Sequence, residues 1–285
     1  MDLDYSLPVK TSVTEFMNHP DYIEFRQALC PLVLYKSMVA LTTPFNQKNM
    51  QFKLQKANER GTADHGWLKA IHSFSFASYY HPEKMNFGAL RVLNDDIIAG
   101  GMGFGMHPHD NMEIITIPLE GALEHKDSIG NIGHIEAGDV QVMSAGTGIR
   151  HSEYNKNKDK FLKLFQIWIM PNVRNVPPRY DQISLNLEER HNKLQQIISP
   201  NKNEDGIWIH QNAWIHIAKF DANLQTQYTL KSKDNGIYLL NISGEIGVLD
   251  QLLESRDAIA ITNKEEIEIK AITDAEFLII EVPMI

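Results

Sequence analysis

His107 and His109 stand two residues apart in the stretch GFGMHPHD (103–110). That spacing puts both side chains on one face of an extended strand. Neutral imidazole is a common transition-metal ligand, so a His-x-His strand offers half of a metal site from one rigid support. The chain has 12 histidines in 285 residues. Random placement of that many would produce such a pair about 0.5 times, so the pair needs partners before it means anything. RHSEYN (150–155) supplies His151 and Glu153 at the same spacing. If the two strands lie together, three imidazoles and a carboxylate converge, with coordination positions left open for water, substrate or O2.

Spacing alone does not select His151 and Glu153. A His two residues before a carboxylate is expected about 1.5 times by chance. It occurs at His19/Asp21, His81/Glu83, His125/Asp127, His134/Glu136 and His151/Glu153. His19 and His81 each precede a proline in turn-like sequence. His125 and His134 sit in alternating stretches and stay open as candidates beside His151.

The elements that must position these residues read as strands. MQFKLQKA (50–57), HSFSFASYY (72–80), ALRVLNDDII (89–98), MEIITIPLEGALEHKD (112–127), GHIEAGDVQVMSAG (133–146) and FLKLFQIWIMP (161–171) alternate or are rich in β-branched and aromatic residues. Gly-containing turns punctuate them. VPPRYDQ (176–182) reads as a linker. After it, GIWIHQNAWIHIAKFD (206–221), GIYLLNISGEIGVLD (236–250) and DAIAITNKEEIEIKAITDAEFLIIEVP (257–283) repeat the pattern. The expectation is an all-β chain of two related barrels in tandem. The expected domains are 50–175, carrying the metal site, and 176–285, metal-free, because the second half has no His-x-His. Helix is scarce: LNLEERHNKLQQI (185–197) is the best candidate, and HPDYIEFRQAL (19–29) a second. Residues 1–49 read as an extension outside the core, or as an over-long start with Met50 as an alternative initiator.

Bulk properties narrow the class. The formal net charge is −9, which argues against direct nucleic-acid binding. No apolar run approaches a membrane span, and the acidic start MDLDYSLPVK does not resemble a signal peptide. One cysteine, Cys30, allows no internal disulfide, and a reducing, cytoplasmic setting is expected.

GMGFGMHPHDNME (101–113) matches the first cupin motif, with Gly101, His107, His109 and Glu113 in place. GDVQVMSAGTGIRHSEYN (138–155) matches the second more loosely: Ser144 replaces the usual proline, and His151 lies two residues late. These departures, with HPHDNMEI, LEGALEHKDSIGN and AGDVQVMSAGTGIRHSEYN, resemble the pirin family. KANERGTADHGWLKAIHSFSFASYYHP, GALRVLNDD, LFQIWIMP and PPRY resemble its bacterial branch. The likeness covers about 50–285 and weakens past 180. It implies two cupin barrels of the double-stranded β-helix, or jelly-roll, type with few short helices. It implies metal ligands His107, His109, His151 and Glu153, with Glu113 not a ligand, and one divalent transition metal. Fe(II) comes first among these; Cu, Ni, Co, Mn and Zn are alternatives.

The implied activity is a quercetin 2,3-dioxygenase, in which O2 opens the central ring of a flavonol and carbon monoxide leaves. Glu153 would then be both ligand and general base. The implied partners are a small aromatic substrate and O2. A regulatory, protein-binding role and a cupin enzyme acting on another small molecule are the alternatives. Phe104, Met106 and Met143 are candidates for walls of a flat substrate or for core packing. His65, His72 and His125 read as packing or hydrogen-bonding residues.

Overall fold

The computed structural model describes residues 50–285. The helix expected over 19–29 and the extension expected over 1–49 lie outside the described residues. The first half contributes β1 (Gln51–Gln55), β2 (Gly61–Asp64), β3 (Leu68–His72), β4 (Leu90–Ile98), β5 (Gly103–His109) and β6 (Glu113–Glu120). It continues with β7 (Ala122–Asp127), β8 (Ile132–Glu136), β9 (Asp139–Ser144), β10 (Ile149–Asn155), β11 (Leu162–Ile169) and β12 (Arg179–Ser184). The second half holds β13 (Gln195–Ser199), β14 (Ile207–Trp208), β15 (Trp214–Phe220), β16 (Gln225–Thr229) and β17 (Asn235–Ser243). It ends with β18 (Ile246–Val248), β19 (Gln251–Leu253), β20 (Ala258–Thr262), β21 (Glu266–Ala271) and β22 (Ala275–Pro283).

Each half folds a seven-stranded sheet over a four-stranded one, giving the two cupin barrels. The first pairs β12-β9-β6-β11-β4-β3-β2 with β5-β10-β7-β8; the second pairs β1-β20-β17-β22-β15-β13-β14 with β16-β21-β18-β19. Two edge strands cross the division expected at 175/176. β12 completes the first half's large sheet, and β1 completes the second's, with Leu54 opposite Ile259.

The large sheets are buried on both faces, which is why β6 (EIITIPLE) and β11 (LKLFQIWI) are almost continuously apolar. One face joins the halves: Ile115, Ile117, Phe165 and Ile167 share a core with Ile215, Leu240, Leu278 and Ile280. The opposite face of the first sheet looks into its own barrel, where Ile98, Leu162 and Leu164 meet Leu123 and Ile135.

A polar row crosses this inner face. Cross-strand register sets Gln141, Thr116, Gln166, Asn94 and His72 side by side on β9, β6, β11, β4 and β3. All five are buried. The row separates one apolar cluster from a second, made of Ile114, Met143, Ala145 and Ile149. Buried polar groups in the middle of a core demand partners; Gln166 and Asn94 line the site described below, while the Gln141 side-chain amide has no hydrogen-bond partner.

The helix expected over 185–197 is absent. In its place a single 3-10 turn spans Leu187–Arg190, and Gln195–Ser199 is strand β13. The reason is tertiary. Asn192 sits at φ 56, where a helix cannot continue. Its backbone N–H donates to the Lys219 carbonyl at 2.7 Å, and its side chain donates to Asp221 at 2.8 Å. Pairing with β15 outweighs the helical spacing of the leucines. Among the described residues the only helical turns are this one and Ala57–Glu59, and no helix is long and apolar enough to cross a membrane.

The second barrel has its own polar pin. Glu281 on β22 is fully buried. It accepts hydrogen bonds from the Tyr228 hydroxyl (2.7 Å), the backbone N–H groups of Lys231 and Ser232 (2.9 Å each) and Asn235 Nδ2 (2.8 Å). Glu281→Ala would strand four donors, and the expected loss of unfolding free energy is about 3–5 kcal/mol. Urea titration followed by tryptophan fluorescence measures it. A loss below about 1 kcal/mol would mean that water replaces the carboxylate.

Candidate metal centre

The two histidine-bearing stretches are neighbours. β5 and β10 pair antiparallel, with His107 opposite His151 and His109 opposite Ile149. β5 is the edge of its sheet, where a strand tolerates proline. Pro108 therefore sits between the two histidines, exposed, facing Arg150 across the pair. Alternation turns His107, His109 and His151 to the interior. Their ring centroids are 4.4–4.9 Å apart, and each can offer one ring nitrogen within 4.8 Å of the others.

The nitrogens can be assigned from their partners. His107 Nδ1–H donates to the Gly105 carbonyl at 2.8 Å, which leaves Nε2 with a free lone pair. His151 is set by a chain of three residues. Against the opposing pull of burial, hydrogen bonds from Asn131, His125 and Ile129 hold the Asp127 carboxyl below its usual range. The resulting carboxylate accepts from His125 Nε2–H at 3.2 Å. His125 Nδ1 is then an acceptor for His151 Nδ1–H at 3.4 Å. This leaves His151 Nε2 as a lone pair, fully buried and without a hydrogen-bond partner. A chain of carboxylate, histidine and ligand histidine is how metal sites fix a tautomer and raise donor basicity.

His109 and His151 are held neutral at physiological pH. Burial, then the neighbouring His151 and His107, lowers His109 to about 4. Burial, then His107 and His125, lowers His151 to about 3. Three imidazoles, with an orphaned buried lone pair on His151, suit a first-row divalent ion.

Glu153 stands one step back from this triad. It is buried, with its carboxylate within 4.8 Å of His125 and His151 donor atoms. No cluster of that spacing contains all four expected ligands. A register shift between His151 and Glu153 places Glu153 opposite Phe104. Its carboxylate is held by the polar row, accepting from Gln166 Nε2 at 3.1 Å, with Thr116 Oγ1 3.4 Å away. Thr116 Oγ1 also lies 3.0 Å from Gln166 Oε1.

The remaining histidine–acid pairs go elsewhere. His134 is exposed on β8, and His81 accepts from the Glu83 backbone N–H in a turn (3.2 Å). His19 lies outside the described residues. His72 bonds Asn94 Oδ1 at 2.8 Å. Glu113 belongs to neither cluster of donor atoms; burial raises its pKa, and Ser144 Oγ donates to it at 2.7 Å.

A cavity of about 490 Å³ opens on His107 and His109, with Glu153 in its wall. Trp67, Phe76, Phe104 and Trp168 supply its aromatic sides. Trp168 stands edge-on to His109 at 4.9 Å and to Phe76 at 5.3 Å. Of the three residues expected as walls, only Phe104 lines the cavity. Met106 is exposed, and Met143 is packed against Ile114 in the core. Gln166, Thr116, Trp67, Phe76 and Trp168 were not identified from sequence. Their signal was present as a polar residue in an apolar strand (LFQIWI), but its direction depends on register.

His125→Phe tests the tautomer chain. It keeps a buried ring and removes the acceptor, and the expected result is a 10–100-fold weaker divalent-metal affinity, read by competition with a chromogenic chelator.

Comparison with known proteins agrees with this architecture. The pirin family model matches residues 53–169, and that of the quercetinase C-terminal cupin domain matches residues 196–282. A protein of Escherichia coli named quercetin 2,3-dioxygenase is 41% identical over 230 residues, covering 81% of this chain and 98% of that one. A pirin-like protein of Caulobacter vibrioides is 44% identical over 222 residues, covering 78% and 95%. The solved structure of the bacterial pirin YhhW of Escherichia coli in complex with nickel(II) superposes with a TM-score of 0.78 at 40% identity, covering 82% of this chain and all of that one.

Proposed function

The chain belongs to the pirin family, and from that premise we propose that it is a metal-dependent dioxygenase that opens the central ring of a flavonol with O2 and releases carbon monoxide. The observation that carries the proposal is the buried, unpartnered His151 Nε2. It lies beside His107 and His109, which line an aromatic cavity of about 490 Å³.

In this reading the metal-bearing domain is the first barrel, and the second is structural. His107, His109 and His151 hold a divalent ion, and Glu153 completes the set. A bound ion supplies Lewis acidity, lowering the pKa of the flavonol 3-hydroxyl and orienting the ring. The Glu153 carboxylate takes the hydroxyl proton, since a carboxylate in the cavity wall lies within proton-transfer reach of a seated hydroxyl. Gln166, itself oriented by the Thr116 hydroxyl, keeps that carboxylate from swinging into the substrate space. Trp67, Phe76, Phe104 and Trp168 bracket a flat ring and exclude water around it. Three imidazoles and one carboxylate accept several first-row ions. Iron is the first choice by family, and nickel is the ion named for the Escherichia coli relative.

The test is a loading series. Protein reconstituted with iron, nickel, copper, cobalt or manganese is mixed with quercetin in air. O2 uptake and loss of the near-visible flavonol band are followed together. Turnover with one or more metals supports the proposal; none with any loaded metal overturns it.

A further inference from the structure

Strand β4 carries two consecutive aspartates with opposite destinations. Asp95 faces the second barrel, where Arg256 Nε donates to its Oδ2 at 2.6 Å. Asp96 faces the first barrel's interior, is 5% exposed, and has no hydrogen-bond partner at Oδ1. A buried carboxyl oxygen with nothing bonded to it is an exception that calls for a reason.

The surroundings suggest one. A second cavity, of about 280 Å³, adjoins the first. The two share Trp67, Phe76, Asn94, Asp96 and Phe104 as lining. Asp96 thus stands at the junction of two lobes, one on His107 and His109 and one lined by His65, Leu68, Ala70 and His72. Neither lobe is lined by lysine or arginine, so neither is built for a fixed anion. Aromatic walls in two connected lobes fit a neutral molecule with two ring systems. At the junction the Asn94 carbonyl is already engaged by His72, and Asp96 Oδ1 is the buried oxygen there with nothing bonded to it.

We infer that Asp96 is a specificity residue that hydrogen-bonds a phenolic hydroxyl on the substrate ring seated away from the metal centre. The inference rests on the flavonol reading above and adds the group that recognises ring hydroxylation. Burial, then the charges of Asp95 and Glu153, pushes Asp96 up to about 8. In either protonation state its Oδ1 accepts from a phenol hydroxyl, and the upward shift favours the form that can also donate. A site built around such a hydrogen bond discriminates against the analogue that lacks the hydroxyl, because the buried polar group is then left unpaired.

The test uses two ligands that share the 3-hydroxyl and 4-keto groups: quercetin, and 3-hydroxyflavone, which has no other hydroxyl. Nickel-loaded protein is titrated with each under argon. Quenching of tryptophan fluorescence is the readout, since Trp67 and Trp168 line the cavity. Asp96→Leu is expected to weaken quercetin binding about tenfold and 3-hydroxyflavone binding less than about twofold. Asp96→Asn, which keeps an acceptor and a donor, is expected to recover most of the quercetin affinity. Unchanged 3-hydroxyflavone binding also shows that the variants fold and keep the site. Equal losses for both ligands, or no loss for either, overturn the inference and leave the dioxygenase reading standing. Asp96-dependent quercetin binding in a protein that consumes no O2 with any metal supports the inference and overturns the dioxygenase reading.

Discussion

His151→Ala protein is expected to fold, to bind a divalent ion at least about a hundredfold more weakly than wild type, and to bleach no quercetin. Structural metal sites bind with roughly 10–16 kcal/mol in total, so one ligand of four accounts for about 3–4 kcal/mol, or a factor of 10²–10³. His151 should lie at the upper end. It is the only member of the triad in the buried class, and the Asp127–His125 chain delivers its Nε2 already in the donor tautomer. Its loss also leaves His125 Nδ1 without a partner. His134→Ala is the matched control, since that histidine is exposed on β8. Equilibrium dialysis with metal analysis reads both variants. Equal metal content in His151→Ala and His134→Ala would place the ion somewhere other than this triad.

Spacing put His107 and His109 on one face of an extended strand, but choosing His151 over His125 and His134 took the resemblance of the surrounding motifs. Antiparallel register then brings His151 opposite His107. Glu153 was harder. Its distance from the imidazoles is set by a register shift next to it and by Gln166 and Thr116, which arrive from β11 and β6. No local pattern encodes those contacts. The same limit applies to Asp95 and Asp96. VLNDDII reads as a strand, yet which aspartate turns inward depends on the pairing with β11 and β3. The leucine spacing over 185–197 misled for a related reason, since Asn192 and its bonds to β15 and Asp221 settle that segment from outside it. Tertiary pairing overrides local propensity most readily where the local signal is short.

Glu153→Gln separates the carboxylate's two assigned duties. The variant keeps shape and length, so its amide oxygen can still accept from Gln166 Nε2, while the amide cannot take up a proton. If Glu153 is the general base, kcat for quercetin should fall by about 10²–10⁴ with little change in KM. Metal affinity should fall by less than in His151→Ala, because three imidazoles remain. The discriminating measurement is the dependence of that loss on pH. A flavonol that has already lost its 3-hydroxyl proton to solvent needs no base. The deficit of Glu153→Gln should therefore shrink as pH rises toward ionisation of the free substrate, and the wild-type rate should change far less. A deficit that stays constant across that range, with metal content matched, would assign Glu153 to holding the ion and its geometry and remove it from proton transfer.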